Sequence, residues 1–490
     1  MAILPAAEWT PDLTNDGAGD ANEDIAQNVI PDIDSYRPWQ STALITGATT
    51  ARVQGAIGVI SANRDAADYA GDANNLYRLV SLSWTKATNL TLSATYSYTI
   101  SNDRNWEFEQ WGNTVLATGG ISPVQEITIG AANFTDLAGA PPVAYHIGIV
   151  RDFVMLGNLS GFPQRVRWSA INNSQSWTVD ATTQADYQDL PGDGGQVQRI
   201  IGGNIGIIMQ ENAIWRTQYV GSPGIFDFGN GPIVRHIGLL APMSAVRYGD
   251  NIFFLSEDGF YSLSPAGLEA IGQFKVDRTF FADLDGQYAS RISAIVHDIE
   301  RLYIVAYPGA GNSGGIPNKV MVYNINAKRW SLVVEDIEYL WRYVSTGYTL
   351  EGLGILGALD DLPASLDSSL WLGGQISLAA FNASHRVVTF TGAAKDATVI
   401  TSEFAPLPGR RAKITRVRPL VDANAATITP LTRNRMADAR VVGTAASQQT
   451  SGDCPLRANA GYFSFRVNTT GNFTRIRGVE VLEFSESGNR

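Results

Sequence analysis

The residue types that most often perform enzyme chemistry are few in this chain and far apart. The four histidines are His146, His236, His297 and His385. None has a second histidine or a cysteine at the spacing that a zinc site requires. No serine lies in the strand-to-helix motif of a hydrolase nucleophile. We therefore predict no catalytic residues, no cofactor-binding residues, no metal site and no enzyme activity.

Carboxylate side chains are clustered in two segments, which hold Asp283 with Asp285, and Glu335 and Asp336 with Glu338. A glycosidase needs two carboxyl groups that face each other across a cleft. Spacing along β-structured loops does not show which groups face each other. A carbohydrate-cleaving function therefore stays open as an alternative.

Two loops begin like ligand-binding motifs but do not complete them. Asp20–Asp24 opens like a calcium loop, but Ile25 and Pro31 stand where an EF-hand needs glycine and a bidentate glutamate. Asp189–Gly195 is glycine-rich like a phosphate-binding loop, but a strand pattern follows it instead of a helix with lysine and serine or threonine. Both are therefore interpreted as solvated loops.

An aromatic segment and a basic segment could indicate nucleic-acid binding. Trp106, Phe108 and Trp111 could stack on bases, but Glu107 and Glu109 alternate with them, so we predict core packing instead.

The basic segment is Gly409–Arg418. Strand alternation would place Lys413, Thr415 and Val417 on one face, and Ile414 with Arg416 on the other. Charge on both faces favours a subunit interface or protection of an edge strand over phosphate binding.

Composition limits the possible partners. The chain of 490 residues carries a net charge of −11 from 36 basic and 47 acidic residues, which argues against a surface that grips nucleic acid or an anionic membrane. With one cysteine it can form no intrachain disulfide, which suits folding in a reducing cytoplasm. We find no apolar run long enough to span a bilayer and no secretory signal, so we expect no membrane insertion.

The elements that must position these residues are short strands joined by tight turns. Between residues 235 and 264, the strands Ser244–Tyr248, Ile252–Leu255 and Phe260–Leu263 are separated by turns at Gly249–Asn251 and Asp258-Gly259. Glycine accepts the positive φ that a hairpin turn demands. This is the pattern of an antiparallel meander.

The same pattern recurs at intervals of roughly 40–60 residues, which is typical of four-stranded propeller blades. It is found in Arg104–Gly120, Gly202–Thr217, Ile292–Tyr307 and Lys319–Trp330. We predict an all-β protein: an irregular β-propeller with a separate C-terminal β-sandwich-like domain. The predicted divisions are an extended N-terminal arm at 1–34, the propeller at 35–378 and the C-terminal domain at 379–490. The number of blades is not predicted.

The order of motifs resembles that of the tail nozzle (tail hub) proteins of short-tailed bacteriophages, also described as tail tubular protein B-like or packaged-DNA stabilisation-like. The motifs that carry the resemblance are Trp9, Asn28–Pro31, Tyr36–Pro38, Gln110–Gly120, Arg165–Ser169, Gly238–Pro242, Gly249–Gly259, Tyr323–Trp330 and Phe404–Leu420. Each is weak alone, but together they extend over nearly the whole chain.

The resemblance implies a structural protein of the virion tail, assembled in the host cytoplasm as a homo-oligomeric ring of six copies. The ring would lie below the portal and its head-to-tail adaptor, retain packaged DNA, and conduct it during ejection without binding it specifically. Tail fibres or spikes are further candidate partners. Two alternatives stay open: a carbohydrate-binding or carbohydrate-cleaving propeller, and a receptor-binding tail fibre. The candidate loops for closing the DNA channel are Asp189–Gly195 and Gly309–Asn318.

Overall fold

A computed structural model of the chain describes residues 2–13, 25–87, 89, 93, 96–345, 362, 365–366, 374–422, 425–470 and 473–487. The predicted acidic loop Asp20–Asp24 lies outside these residues. The first part of the chain forms five short strands: Ala2–Pro5 (β1), Ala26–Gln27 (β2), Val29–Pro31 (β3), Tyr36–Pro38 (β4) and Ala43–Ala48 (β5). These five strands do not form a sheet of their own. β1, β2, β4 and β5 each pair with a strand from much later in the chain, and β3 pairs with β4.

Seven antiparallel units of four strands follow, which we call blades 1 to 7 in the order of their innermost strands. Five of them are separate four-stranded sheets, blade 4 has a fifth strand, and blade 6 is part of a 10-stranded sheet. Blade 1 comprises Gly55–Ile60 (β6), Ala66–Gly71 (β7), Leu76–Val80 (β8) and Ser83–Lys86 (β9). Blade 2 comprises Glu107–Trp111 (β10), Thr114–Thr118 (β11), Gln125–Thr128 (β12) and Thr135–Asp136 (β13). Blade 3 comprises Ala144–Val150 (β14), Phe153–Leu159 (β15), Phe162–Trp168 (β16) and Asp186–Asp189 (β17).

Blades 4 to 6 follow the same plan. Blade 4 comprises Val197–Ile201 (β18), Ile205–Gln210 (β19), Ala213–Gly221 (β20) and Ile225–Asp227 (β21), and Val234–Arg235 (β22) also pairs with β20. Blade 5 comprises Val246–Tyr248 (β23), Asn251–Ser256 (β24), Gly259–Ser264 (β25) and Gly267–Ala270 (β26). Blade 6 comprises Ser293–His297 (β27), Leu302–Tyr307 (β28), Lys319–Asn324 (β29) and Arg329–Val334 (β30). A helix at Asp277–Asp283 (α1) and 3-10 turns at Pro242–Ser244 and Gly286–Arg291 complete this region.

Blade 7 closes the ring with strands from both halves of the chain. It comprises Ile337–Val344 (β31), Ile376–Asn382 (β32), Arg386–Thr389 (β33) and, as its outermost strand, β5. The innermost strand β31 contacts β6 of blade 1, so the last blade packs against the first. The fold is therefore a seven-bladed propeller over the part of the chain that is described. Pairing of the early strand β5 with the late strand β33 completes the last blade.

The turns predicted around residues 249 and 259 are present in blade 5. Gly249 has φ +59° in the turn between β23 and β24. Gly259 has φ +150° at the start of β25, and a Cβ there would lie 2.2 Å from Asp277 Oδ2. The meander prediction is thus confirmed, and Gly259 is required for a second reason that the sequence did not show: helix α1 packs against its Cα.

The C-terminal residues form a β-sandwich. One sheet holds Ala397–Ile400 (β34), Ala426–Arg433 (β36), Val441–Val442 (β37), Ala446–Ser447 (β38) and Tyr462–Thr469 (β40). The other holds Ala412–Val421 (β35), Cys454–Ala460 (β39) and Ile476–Glu486 (β41) together with β1, β3 and β4. Buried side chains of the two sheets meet in one core, which includes Ile414, Val417, Phe463, Phe465 and Val481.

The sandwich shares a sheet and a core with the propeller, so it is not separate as predicted. Strand β2 pairs with β30 of blade 6 on one side and with β34 of the sandwich on the other. One buried cluster contains Trp330 and Phe260 of the propeller together with Val399 and Ile476 of the sandwich. The predicted boundary between residues 378 and 379 falls inside β32, and blade 7 continues to Thr389, because β33 finds its partners in β32 and β5.

The predicted assignment of side chains to the two faces of the basic strand is wrong. A β-bulge between Ile414 and Arg416 adds one residue to the alternation. Ile414 and Val417 are therefore both buried, whereas Lys413, Arg416 and Arg418 are all exposed. Strand β35 also lies between β39 and β41, so it is not an edge strand and needs no edge protection.

Arg329 fastens the first part of the chain to blade 6. Its guanidinium donates hydrogen bonds to the carbonyl oxygens of Asp32 (2.8 Å), Ile33 (3.1 Å) and Ala7 (2.9 Å). It also lies 4.7 Å above the ring of Tyr36, whose hydroxyl donates to the carbonyl of Ala7. One buried cation thus satisfies carbonyl groups on both sides of β2 and holds them against β30.

Candidate functional site

Charged side chains converge where the innermost strands of the blades meet. Strand β10 begins at Glu107, and its side chains alternate between two faces. Trp106 and Phe108 pack in the core that blade 2 shares with blade 1, as predicted. Glu107 and Glu109 therefore lie on the opposite face of the strand, toward the centre of the propeller.

Glu107 is buried and is surrounded by donors. Its carboxylate accepts from His146 Nδ1 at 2.8 Å and from the Ile147 backbone N–H at 3.0 Å, and Arg199 Nη1 lies 3.5 Å away. Burial alone would raise the pKa of Glu107, but the charges and hydrogen bonds of His146 and Arg199 outweigh it and lower that pKa. The group is therefore held as a carboxylate inside the protein.

For Glu109, burial outweighs the nearby positive charge, so its pKa is raised. Burial raises its pKa to about 7, the attraction of Arg199 offsets only part of this, and the negative charge of Glu107 adds to the rise. A carboxyl group with this pKa changes its charge near neutral pH.

Met243 and Tyr339 divide the centre of the propeller. Arg199 Nη1 donates to Met243 Sδ at 2.7 Å, and the Tyr339 hydroxyl lies 3.4 Å from the same sulfur. Met243 lines a cavity of about 170 Å³ that includes His146, and also a second cavity of about 280 Å³ that includes Glu109. Each volume would hold several water molecules at about 30 Å³ each, and far less than a nucleic-acid strand. The central channel is thus partitioned by side chains.

The other candidate residues are dispersed. His236 is exposed, His297 accepts from the Glu300 backbone N–H, and His385 lies 2.7 Å from Glu338. Within the described residues no group of three or more histidine, cysteine or carboxylate side chains could hold a metal ion. None of the helices in that part of the chain is long and apolar enough to cross a membrane.

The clustered carboxylates have structural contacts. Asp283 pairs with Lys319 at 2.6 Å and accepts from the Tyr307 hydroxyl, whereas Asp285 accepts from Asn312. Glu335 pairs with Lys395. Asp283, Asp285 and Glu335 therefore each have a structural partner.

The two candidate gate loops lie on the same face of the propeller. Asp189–Gly195 connects the outermost strand of blade 3 to the innermost strand of blade 4, and Gly309–Asn318 connects the second and third strands of blade 6. In a meander these two kinds of connection occur at the same end of the strands. Blade 5 separates the two loops, so they are not neighbours.

The two loops differ in how they are held. Within Gly309–Asn318, Asn312 accepts from the Gly315 N–H at 2.8 Å, and Asn318 accepts from the Gly309 N–H at 2.8 Å. Arg291 donates to the carbonyl of Gly314 at 2.6 Å. Residues 310, 311, 313 and 314 of this loop are exposed, and so is the tip 191–193 of the other loop. In that other loop the hydrogen bonds hold the flanks: Arg165 donates to the Asp189 carboxylate, and Gln210 donates to the carbonyl of Gly195 at 2.8 Å.

The basic segment is neutralised by acidic neighbours. Arg410 pairs with Glu486 at 2.9 Å, Arg416 with Asp453 at 3.0 Å, and Arg418 with Glu480 at 3.6 Å. Most of these side chains are solvent-exposed, so these pairs contribute little to stability. The row of arginines is therefore not an unopposed positive surface.

Sequence reasoning missed the Glu107–His146 pair. The two residues belong to different blades, and no local pattern specifies which innermost strands become neighbours. The available signal was the alternation of Trp106 and Phe108 with two glutamates, because a strand with charge on one face needs polar partners on that face.

Comparison with known proteins identifies no family. No protein-family profile matches the chain, and no curated protein matches it. Among solved structures, the chain is similar to the extracellular domain of the hybrid two component system BT4673 from B. thetaiotaomicron, with 10% identity, a TM-score of 0.40, and coverage of 77% of this chain and 41% of that one. The chain thus spans less than half the length of that protein.

Two smaller structures give similar values. The computationally designed Ika8 protein matches at 10% identity and a TM-score of 0.35, over 72% of this chain and 99% of that chain. The Neurospora crassa Pan2 WD40 domain matches at 9% identity and a TM-score of 0.37, over 73% of this chain and 96% of that chain. All three scores are below 0.5, so the seven-bladed arrangement rests on the strand pairing of the chain itself.

Proposed function

We propose that this chain is a structural subunit of a short phage tail, where copies form a ring-shaped nozzle that retains packaged DNA and conducts it during ejection. The observation that carries the proposal is the order of its sequence motifs. Gln110–Gly120 lies in blade 2, Gly249–Gly259 in blade 5, Tyr323–Trp330 in blade 6, and Phe404–Leu420 reaches into the sandwich. The motifs are thus distributed over both parts of the fold and not confined to one.

The mechanical properties of the chain suit this role. The propeller and the sandwich share a sheet through β2 and a hydrophobic core, so they behave as one rigid block. A closed ring requires each copy to present two different surfaces that complement one another. A block with a fixed angle between its two parts keeps those surfaces in register when load is applied.

The DNA path in this proposal is the axis of the ring and not the axis of the propeller. Met243 partitions the propeller centre, as the two small cavities on either side of it show. The net charge of −11 limits contacts between the protein and phosphate groups, which would otherwise hold the DNA in place. The partners in the proposal are further copies of this chain, the head-to-tail adaptor, and tail fibres or spikes.

Imaging of the intact particle tests the proposal. An epitope inserted after Ile299, an 87% exposed residue in the turn between β27 and β28, should label the tail axis with the symmetry of a ring. The proposal is rejected if the label decorates a peripheral fibre or if the chain is absent from the particle. An unassembled monomer in solution does not decide the question, because the adaptor can template the ring.

A further inference from the structure

The larger of the two central cavities, of about 280 Å³, is lined by arginines from three different blades. Arg199 lies in β18 of blade 4, Arg247 in β23 of blade 5 and Arg342 in β31 of blade 7. The side chains of Arg199 and Arg342 are 24% and 42% exposed, and Arg247 is only partly buried, so a solute can reach all three. Among the described residues of the cavity wall, Glu109 is the one carboxyl group. The wall is therefore rich in positive charge.

Arg247 forms no ion pair within the described residues. Its guanidinium makes one hydrogen bond there, from Nη2 to the carbonyl oxygen of Ile205 at 3.3 Å. Burial lowers the pKa of Arg247, and the charge of Asp250, which is exposed in the following turn, offsets only part of this. A partly buried cation without a counter-charge is unfavourable. An anion that entered the cavity beside Arg247 would therefore be stabilised.

Arg199 and Arg342 have donors to spare, although each contacts one carboxylate. Arg199 uses Nη1 for Glu107 at 3.5 Å and for Met243 Sδ, and Arg342 uses Nη2 for Asp298 at 3.1 Å. A guanidinium carries five N–H donors, so several remain on each group. A tetrahedral oxyanion has oxygens in different directions and can accept from guanidinium groups on different sides of it.

Glu109 makes the attraction of the cavity for an anion depend on pH. When protonated, Glu109 leaves the positive charge of the wall unopposed, and when ionised it repels an anion. Its charged or titratable neighbours are Arg199 and Glu107, together with Arg247, Arg342 and Tyr339, which line the cavity with it. Anion binding should therefore be accompanied by proton uptake and should weaken as the pH rises through about 7.

We propose that this cavity binds a phosphate group, either as the free ion or as the monoester of a small molecule, through Arg199, Arg247 and Arg342. The fork of N–H donors on a guanidinium matches the spacing of phosphate oxygens. A volume of about 280 Å³ admits the ion or a small ester of it, but not a nucleic-acid strand. The inference does not depend on assembly into a ring, because every residue in it belongs to one copy of the chain.

Isothermal titration calorimetry on the full-length chain at low ionic strength provides the test. Inorganic phosphate, glycerol 3-phosphate and sulfate are each added up to about 20 mM, a range that detects weak binding. We expect saturable binding of all three at pH 6, and the tighter of the first two distinguishes a free ion from a monoester as the ligand. Sulfate stays fully ionised at pH 6 and at pH 8, so its pH dependence reports on the protein alone. Ionisation of Glu109 should weaken sulfate binding about tenfold at pH 8.

Three variants and one matched control complete the test. Arg247→Gln and Arg342→Gln should each weaken sulfate binding at pH 6 about tenfold. Glu109→Gln should bind sulfate equally well at pH 6 and pH 8. Arg216→Gln removes an exposed arginine from β20 of blade 4 and should leave binding unchanged.

Circular dichroism confirms that each variant is folded. Arg342 is 42% exposed, so its variant decides the question if Arg247→Gln does not fold. The proposal is overturned if none of the three anions binds saturably below about 20 mM. It is also overturned if the folded arginine variants bind sulfate as tightly as the unsubstituted chain, or if Glu109→Gln keeps the full pH dependence.

Discussion

Glu107 and Glu109 lie two residues apart on the same face of β10, but the pKa of the first is lowered and that of the second is raised to about 7. The difference comes from their partners. His146, Ile147 and Arg199 stabilise the charged form of Glu107. For Glu109, burial raises the pKa by more than the attraction of Arg199 lowers it. One strand thus carries a permanent charge and a titrating group side by side, and substitution of each should have opposite effects.

Glu109→Gln should stabilise the protein at alkaline pH. The folded-state pKa is raised, so the stability that Glu109 contributes is present below its ordinary pKa of 4.5 and is lost as the pH rises through about 7. Glutamine has no charge to desolvate, and we expect it to raise the free energy of unfolding by about 2 kcal/mol at pH 8 and by much less at pH 5. Denaturant unfolding at both pH values measures this. Exposed Glu257→Gln is the control, and an equal effect of Glu109→Gln at both values would contradict the prediction.

Glu107→Gln should destabilise the protein at neutral pH. Here the folded-state pKa is lowered, so the stability contributed by the carboxylate is present above 4.5 and is lost as the pH falls through the lowered value. Removing this charge takes away the buried carboxylate that His146 and Arg199 both contact, and the expected loss is about 3 kcal/mol at pH 7. The same unfolding measurement applies. A neutral or stabilising result would mean that the charge of Glu107 is not paired as the distances indicate.

Arg329→Met should release the first part of the chain from blade 6. The carbonyls of Ala7, Asp32 and Ile33 would lose their shared donor, and hydrogen bonds to a charged group are worth about 1.5–3 kcal/mol each. We expect faster amide hydrogen exchange in residues 2–13 and 29–38 and a loss of at least about 2 kcal/mol in unfolding free energy. Lys328→Met removes an exposed ion pair in the preceding position and serves as the control. Equal exchange in the two variants would exclude the fastening role of Arg329.

Gly259→Ala should destabilise blade 5, whereas Gly249→Asn should not. A methyl group at position 259 would meet the Asp277 carboxylate at 2.2 Å on a backbone with φ +150°, whereas no atom lies within 4 Å at position 249. We expect a loss of about 3 kcal/mol for the first change and less than about 1 kcal/mol for the second, because asparagine tolerates the left-handed conformation. Thermal unfolding compares the pair. Similar melting temperatures would show that α1 moves away at little cost.

The candidate gate loops are distinguished by deletion within the proposed nozzle. Removing the exposed tip 191–193 leaves the paired strands of blades 3 and 4 intact, and shortening 310–316 removes the loop that Asn312 organises. Local opening is easiest in segments with few internal bonds. We expect particles with the 191–193 deletion to lose packaged DNA on storage and particles with the shortened 310–316 loop to retain it. The opposite result would assign the gate to blade 6.

The sequence predicted what local patterns determine. The strands and turns around Gly249 and Gly259 follow from turn chemistry, and burial of Trp106 follows from its alternation with glutamates. The pairing of β5 with β33 was missed because it joins residues more than three hundred positions apart, and alternation does not specify partners. The bulge at Thr415 was missed because no residue type at that point indicates an inserted residue. The bulge nevertheless moves Val417 to the buried face of the strand.

The pairing of early strands with late ones also determines the order in which the chain can fold during synthesis. Blades 1 to 6 consist of consecutive segments, so each can form as soon as it leaves the ribosome. Strands β1, β2 and β5 have to wait, because β1 pairs with β41, β2 with β30 and β34, and β5 with β33, all of which are translated after blade 5. The beginning of the chain is thus the final part to dock, and during that interval its unpaired edges are available to chaperones or to the corresponding strands of another nascent copy.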